Sequence, residues 1–217
     1  MLTNPDWWKI YDIGPGSYFV ADDGRFAVFS SQFISSSDAS GLVPIAALYA
    51  LDDQQLVYAY DYYSGAMSLT QPPPVIRSIK IPSNVKTVDL IDQSTQTVEN
   101  WFHAYNERNP AAYLACYSEN AQHIELVRPD WRVLTKEALA IDIAARFSSA
   151  AFTAHLAAPY GSPLEKGYFV SADGHYAAAQ GQYEDAGIDV VPMLVVLELA
   201  DGQIIREYLY MDVEMAP

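Results

Sequence analysis

Cysteine is almost absent from this 217-residue chain: the single Cys116 has no partner for an internal disulfide, which fits a reducing compartment. Basic residues are scarce too. Lys and Arg number 12 against 27 Asp and Glu, a net charge of -15, so phosphate backbones and anionic lipid surfaces would be repelled. No basic cluster opposes that field, and neither nucleic acid nor a membrane is an expected partner. No apolar run approaches the roughly 18 to 20 residues of a membrane span. The first residues, MLTNPDWWKI, lack the basic and continuous apolar regions of a secretory signal, so the expected location is the cytoplasm. No H-x-E, H-x-H or C-x-x-C spacing supplies a three-ligand metal set, and neither metal nor cofactor is expected. Cys116 reads as a buried helix residue.

With 51% hydrophobic and 18% charged residues, the chain has the make-up of a globular protein of one large or two small domains, not of a disordered or fibrous one. Its strongest internal signal is a repeat. Tyr18-Phe19-Val20-Ala21-Asp22-Asp23-Gly24 recurs 150 residues later as Tyr168-Phe169-Val170-Ser171-Ala172-Asp173-Gly174. Phe26-Ala27 then meets Tyr176-Ala177, and Gln32-Phe33 meets Gln182-Tyr183. After a two-residue shortening the offset is 148, pairing Val43-Pro44 with Val191-Pro192, Leu51 with Leu199, and Tyr60-Asp61-Tyr62 with Tyr208-Leu209-Tyr210. Two unrelated hairpins would not be expected to share one gap and matching turns, so a duplication is the better explanation. Both copies read as β-structure, with tight turns at Asp173-Gly174 and Asp201-Gly202 between extended runs.

Pro72-Pro73-Pro74 and Pro82 mark a stiff linker between the copies. The expected organisation is a strand-only copy over 1–70, a linker over 71–88 and a complete domain over 89–217. The second copy alone has helical periodicity: Gln96 to Asn109 puts Val98, Trp101, Phe102 and Tyr105 on one face. Pro110 opens a second helix to Ser118, Ala121 to Val127 is extended, and Lys136 to Ser148 is helical with Leu139, Ile143 and Phe147 inward.

Trp101-Phe102-x-Ala104-Tyr105-Asn106, then Tyr117-Ser118-Glu119-Asn120-Ala121, then Asp201-Gly202-Gln203-Ile204-Ile205-Arg206-Glu207-Tyr208, occur in an order that resembles the nuclear transport factor two-like superfamily, which includes SnoaL-like polyketide cyclases and ketosteroid isomerases. The resemblance spans roughly Asp89 to Met215. It implies an α+β fold: a cone-shaped, curved antiparallel sheet with three helices, preceded here by a β-rich half copy from about Trp8 to Ser64. A curved sheet without its helices leaves an apolar face to cover. The expected solution is an internal pseudo-dimer, sheet on sheet, with homodimerisation covering what remains. The alternative is that the missing helices are encoded upstream of Met1.

In this fold a small apolar or aromatic ligand enters between helices and sheet. Glu125 resembles the position of the ketosteroid isomerase aspartate base, and under an apolar lid its pKa would rise. Alternation puts His123, Glu125 and Val127 on one strand face and Ile124 and Leu126 on the other, so Glu125 faces either cavity or solvent. By resemblance, Glu207 is a second inward carboxylate alongside Leu209 and Met211; otherwise it pairs with Arg206 or Arg128 at a sheet edge. Ala177, Ala179, Gly181 and Tyr183 share a face that either leaves room for a ligand, with Tyr183 as a donor, or packs closely against another element. Trp101 and Tyr105 form the helical wall of any pocket, or core. Where many SnoaL-like sequences show aspartate, this chain has Leu209. The expected function is cofactor-free acid–base isomerisation, cyclisation or dehydration by Glu125, Glu207 and Tyr183, with Trp101, Tyr105, His123, Ala179, Gly181, Leu209 and Met211 around the substrate. The alternative is a non-catalytic ligand-binding or protein-interaction domain of the same fold.

Overall fold

The computed structural model describes residues 17–21, 23–34, 41–52, 55–63, 67–68, 87–126, 132–158, 162–183 and 191–211. The Pro-rich stretch at 71–86, Val127 and Arg128 lie outside them.

Alternating apolar residues and short turns build a first, antiparallel sheet from β1 (Ser17–Val20), β2 (Phe26–Ile34), β3 (Gly41–Asp52) and β4 (Gln55–Tyr63), in that spatial order. The two-residue β5 (Met67–Ser68) is added beside β3. Helix α1 (Thr87–Asn106) follows. It starts within the stretch expected to be linker, and ends before Asn109 because Arg108 takes a left-handed φ of 53°. Helix α2 (Pro110–Ala115) has Pro110 at its start and Asn109 as its cap, the Asn109 side chain accepting from the Ala112 N–H. It stops at Ala115 rather than Ser118, since Tyr117 already opens β6 (Tyr117–Leu126). Next come β7 (Arg132–Thr135) and α3 (Lys136–Ser148), whose Thr135 cap accepts from the Ala138 N–H. The chain closes through β8 (His155–Leu156), β9 (Tyr168–Val170), β10 (Tyr176–Tyr183), β11 (Val191–Ala200) and β12 (Gln203–Met211).

These last strands form a seven-stranded sheet in the order β7-β6-β12-β11-β10-β8, with β9 also on β10. It is mixed rather than purely antiparallel: β6 runs parallel to β12, pairing His123 with Glu207 and Glu125 with Leu209. That parallel pair is possible because β6 reaches β12 through a long connection that includes α3, not through a hairpin.

Each face of the large sheet has its own core. On one, α1, α2 and α3 pack Val98, Trp101, Tyr113, Leu139 and Ile143 over Ala177, Ala179, Val195, Leu197 and Leu209. On the other, Ala178, Leu194, Val196, Tyr208 and Tyr210 pack against Phe26, Val28, Ala46, Leu48 and Tyr62 of the first sheet. Contacts across this second core come in exchanged pairs. Phe19 stacks on Tyr176 at 5.2 Å, and Phe26 stacks on Phe169 at 5.8 Å. Phe19 with Phe169, and Phe26 with Tyr176, are the residue pairs matched at the offset of 150. Ala21 and Ser171, matched in the same way, form an antiparallel bridge with each other.

Candidate functional site: a buried carboxylate cluster in the cone

The two turns of the large sheet fix how α1 lies over it. Ser94 Oγ donates to the Gly174 carbonyl at 2.6 Å and Thr97 Oγ1 to that of Gly202 at 2.5 Å. Both glycines have positive φ, and a Cβ on Gly174 would meet Leu90 and Ile91 at 3.1 Å. This packing directs Trp101 and Tyr105 at the sheet. Strand β6, held beside β12, turns His123 and Glu125 to the same side while Ile124 and Leu126 face the first sheet.

Glu207 is 2% exposed, and three groups converge on its carboxylate. Tyr113 donates its hydroxyl to Glu207 Oε2 at 2.9 Å, and Tyr117 donates to the same oxygen. His123 places Nδ1 3.0 Å from that oxygen, a charge contact not aligned as a hydrogen bond. Trp101 Nε1 donates in turn to the Tyr117 hydroxyl at 2.9 Å. On the other side of the imidazole, Nε2 lies 3.2 Å from Glu125 Oε1. Arg146 Nη2 donates to that same oxygen at 2.6 Å, and Arg132 Nε donates to Glu125 Oε2. Asp142 completes a ring, 2.6 Å from Arg146 Nε and 3.3 Å from Arg132 Nη2. Three carboxylates thus stand against two guanidiniums and one imidazole, and the cluster is neutral when His123 holds its second proton.

The electrostatics follow from these contacts. Burial alone would lower the pKa of His123, but the charge of Glu207 and the hydrogen bond to Glu125 outweigh it and raise the value to about 9. Burial alone would raise that of Glu125, and His123, Arg132 and Arg146 together hold it well below the usual carboxylate range. The expected raised pKa at Glu125 is therefore reversed: the carboxyl is buried, as a cavity position requires, but its neighbours are cations rather than a purely apolar lid. Burial, reinforced by the charge on Glu207, pushes the Tyr113 and Tyr117 phenols upward.

Of the other expected positions, Leu209 and Ala179 lie in the helix-covered core, and Met211, Tyr105 and Tyr183 are partly buried against it. Trp101 is fully buried and Tyr105 packs on it at 6.3 Å, on Tyr113 at 5.8 Å and on Phe147 at 5.5 Å. Gly181 does not open room for a ligand: a Cβ there would be 2.6 Å from the His155 carbonyl and 2.6 Å from Met193 Cε, so the strand is small because β8 and Met193 pack on it. Glu207 is not paired with Arg206, which lies on the opposite face and donates to the buried Glu198 at 2.7 Å. Cys116 is buried, as expected, with its thiol raised to about 11 by burial.

Sequence reasoning missed Tyr113, Tyr117, Arg132, Asp142 and Arg146 as members of the site. One signal was available, since Asp142 and Arg146 have the i,i+4 spacing of a helical ion pair.

Three helices over one face of a curved sheet, with polar groups gathered between them, is the cone that the resemblance implies. Residues 87–211 form an α+β unit with three helices over one face of a mixed sheet, the fold class that the resemblance implies. Among solved structures, the chain is similar to a nuclear transport factor two-like protein of unknown function from Mesorhizobium loti, at 16% identity and a TM-score of 0.45, over 56% of this chain and 92% of that one. It is also similar to a candidate polyketide cyclase from Xanthomonas campestris pv. campestris, at 20% identity and a TM-score of 0.43, over 58% and 94% of the two chains. A third is a hypothetical protein with a ketosteroid isomerase-like fold from Catenulispora acidiphila in complex with trimethylamine, at 15% identity and a TM-score of 0.41, over 54% and 86%. No protein-family model matches the chain, and no curated protein does.

Proposed function

We propose that the cone of residues 87–211 is a small-molecule site of SnoaL type that carries out cofactor-free acid–base chemistry on an apolar ligand: isomerisation, cyclisation or dehydration. The observation that carries this is the convergence of Tyr113, Tyr117 and His123 on the buried Glu207 carboxylate. Such reactions need a placed base, a proton carrier and donors for a developing oxyanion. Glu207 is the base in this reading, and the protonated His123 beside it balances its negative charge. Tyr113 and Tyr117 are the donors, which a ligand oxygen would share with Glu207. Glu125 is no longer the base. Clamped by Arg132 and Arg146, it sets the orientation and charge of His123. Tyr105, Tyr183, Leu209 and Met211 contact the ligand, and the first sheet stands where a partner subunit would in a dimer.

The aromatic cluster of Trp101, Tyr105, Tyr113, Phe147 and Phe152 favours a second reading. Ring-on-ring packing fills much of the cone, and a domain that binds without turnover needs no more space. Screening enones, β-keto esters and polycyclic aromatics for turnover, with Glu207→Gln alongside, separates the two. Turnover that falls by about 10²-fold or more in the variant supports the enzyme. Saturable binding at the cone with no turnover across the panel supports the second reading.

A further inference from the structure

The cluster that fixes Glu125 also has an outward side. Arg132 and Arg146 have side chains 45% and 30% exposed, against 9% for Glu125. Each guanidinium has five N–H donors in a fixed fork. Arg132 spends Nε on Glu125 and Nη2 on Asp142, while Arg146 spends Nη2 on Glu125 and turns Nε to Asp142. The Nη1 group of each has no partner among the described residues.

The strand pairings place Arg132 at one end of the large sheet, and Arg146 reaches the same Glu125 carboxylate from α3. Arg132 pairs with Glu125 in the β6–β7 hairpin, one residue before β6 ends at Leu126. Leu126 pairs with Tyr210, beside Met211 at the end of β12. Met211 pairs with Met193 near the start of β11, and the first residue of β11, Val191, pairs with Tyr183 at the end of β10. Tyr105, Phe152, Tyr183 and Met211 are all partly buried against the cone's core. Phe147, next to Arg146 in α3, packs on Tyr105 at 5.5 Å and on Phe152 at 5.9 Å, so an aromatic surface adjoins two partly exposed guanidiniums with donors to spare.

We infer that the ligand of this cone carries a carboxylate, bound by the free Nη1 edges of Arg132 and Arg146, with its apolar body laid on Tyr105, Phe152 and Met211. This rests on the small-molecule reading of the cone and adds a ligand class to it. Guanidinium–carboxylate hydrogen bonds are charge-assisted and about twice as strong as neutral ones. Arg132 and Arg146 already balance Glu125 and Asp142, so the acid group is drawn by short-range donors rather than by a net local charge. The chain's overall charge of -15 acts against an anion, but only weakly beyond the roughly 8 Å screening length of physiological salt.

The test compares 2-naphthoate with its neutral counterpart 2-naphthylmethanol on the full chain. Binding is followed by the NMR signals of the Trp101 indole N–H and the Arg132 and Arg146 side-chain N–H groups. The expected result is binding of the acid about tenfold or more tighter than the alcohol, with both arginine signals moving. In Arg132→Gln and Arg146→Gln that preference shrinks toward parity. Because the wild-type comparison stands without the variants, a misfolded variant does not spoil the test. If the alcohol binds at the cone as tightly as the acid, the carboxylate class is wrong and the cone remains a ligand site. If neither compound moves any cone signal at millimolar concentration, this proposal fails, and the ligand-site reading for this aromatic class fails with it.

Discussion

Ser30 and Tyr210 meet hydroxyl to hydroxyl at 2.9 Å across the two sheets, and this contact has an exchanged partner in Gln180, whose Nε2 donates to the Tyr62 hydroxyl at 2.7 Å. Ser30 corresponds to Gln180 at the offset of 150, and Tyr62 to Tyr210 at 148. A residue i that touches j′ while j touches i′ is the signature of an isologous, two-fold interface. This reciprocity supports the proposal that the first sheet takes the place of a second subunit in an internal pseudo-dimer. It predicts that the two sheets unfold together. Leu48→Ala, in the centre of the shared core, should cost about 2–5 kcal/mol and leave a single transition, coincident by tryptophan fluorescence and far-ultraviolet circular dichroism. Two separated transitions would show that the sheets are independent.

Period-based reasoning located the helices because their signals are local. Val98, Trp101, Phe102 and Tyr105 recur at helical spacing, and α3 runs from Lys136 to Ser148 as expected. It also set the faces of β6 correctly, since alternation has only two solutions. The parallel pairing of β6 with β12 was not legible, because a strand's partner is chosen by the whole topology. The chemistry of Glu125 failed for a related reason. Burial could be anticipated from its strand face, but Arg132 arrives from a hairpin and Arg146 from a separate helix, and together they reverse the sign of the shift. The small residues of β10 were read as two alternatives, and Gly181 resolves them at its own position in favour of close packing.

Two glycines separate steric from conformational demand. A Cβ at Gly181 would lie 2.6 Å from the backbone oxygen of His155, whereas one at Gly24 meets nothing within 4 Å but sits at φ +72°. Gly181→Ala should cost about 1–3 kcal/mol through overpacking, and Gly24→Ala about 1 kcal/mol through the left-handed backbone alone. Urea unfolding of both variants checks the order. A neutral Gly181→Ala would mean that β8 moves away from β10 at no cost.

Removing the Glu207 carboxylate strands its donors. Glu207→Leu leaves two buried phenols without their shared acceptor and the His123 imidazolium without its counter-charge, and a loss of about 3–5 kcal/mol is expected. Glu207→Gln keeps an acceptor oxygen and removes the charge. It should be milder in stability yet lower the pKa of His123 measurably from about 9, because the charge of Glu207 is the largest influence raising it. Imidazole proton shifts followed across pH read this directly. An unchanged His123 titration in Glu207→Gln would show that the 3.0 Å approach carries no electrostatic weight.

The same cluster sets a stability profile with two edges. The folded pKa of His123, about 9, lies above its ordinary value of 6.5, so its contribution is complete below pH 6.5 and is lost as pH rises through about 9. Within that window the folded state binds more protons than the unfolded one, and unfolding free energy should fall by up to about 1.4 kcal/mol per pH unit. Glu125 works in the opposite direction. Its folded pKa lies below the ordinary 4.5, so its contribution is present above pH 4.5 and is withdrawn as the solution becomes more acidic. Urea unfolding from pH 3 to pH 10 should therefore give a plateau between about 4.5 and 6.5 with a decline on each side. His123→Gln should flatten the alkaline decline while keeping the acid one. If that decline stays as steep in His123→Gln as in the parent chain, the proton is carried elsewhere and the charge balance assigned to the cone is wrong.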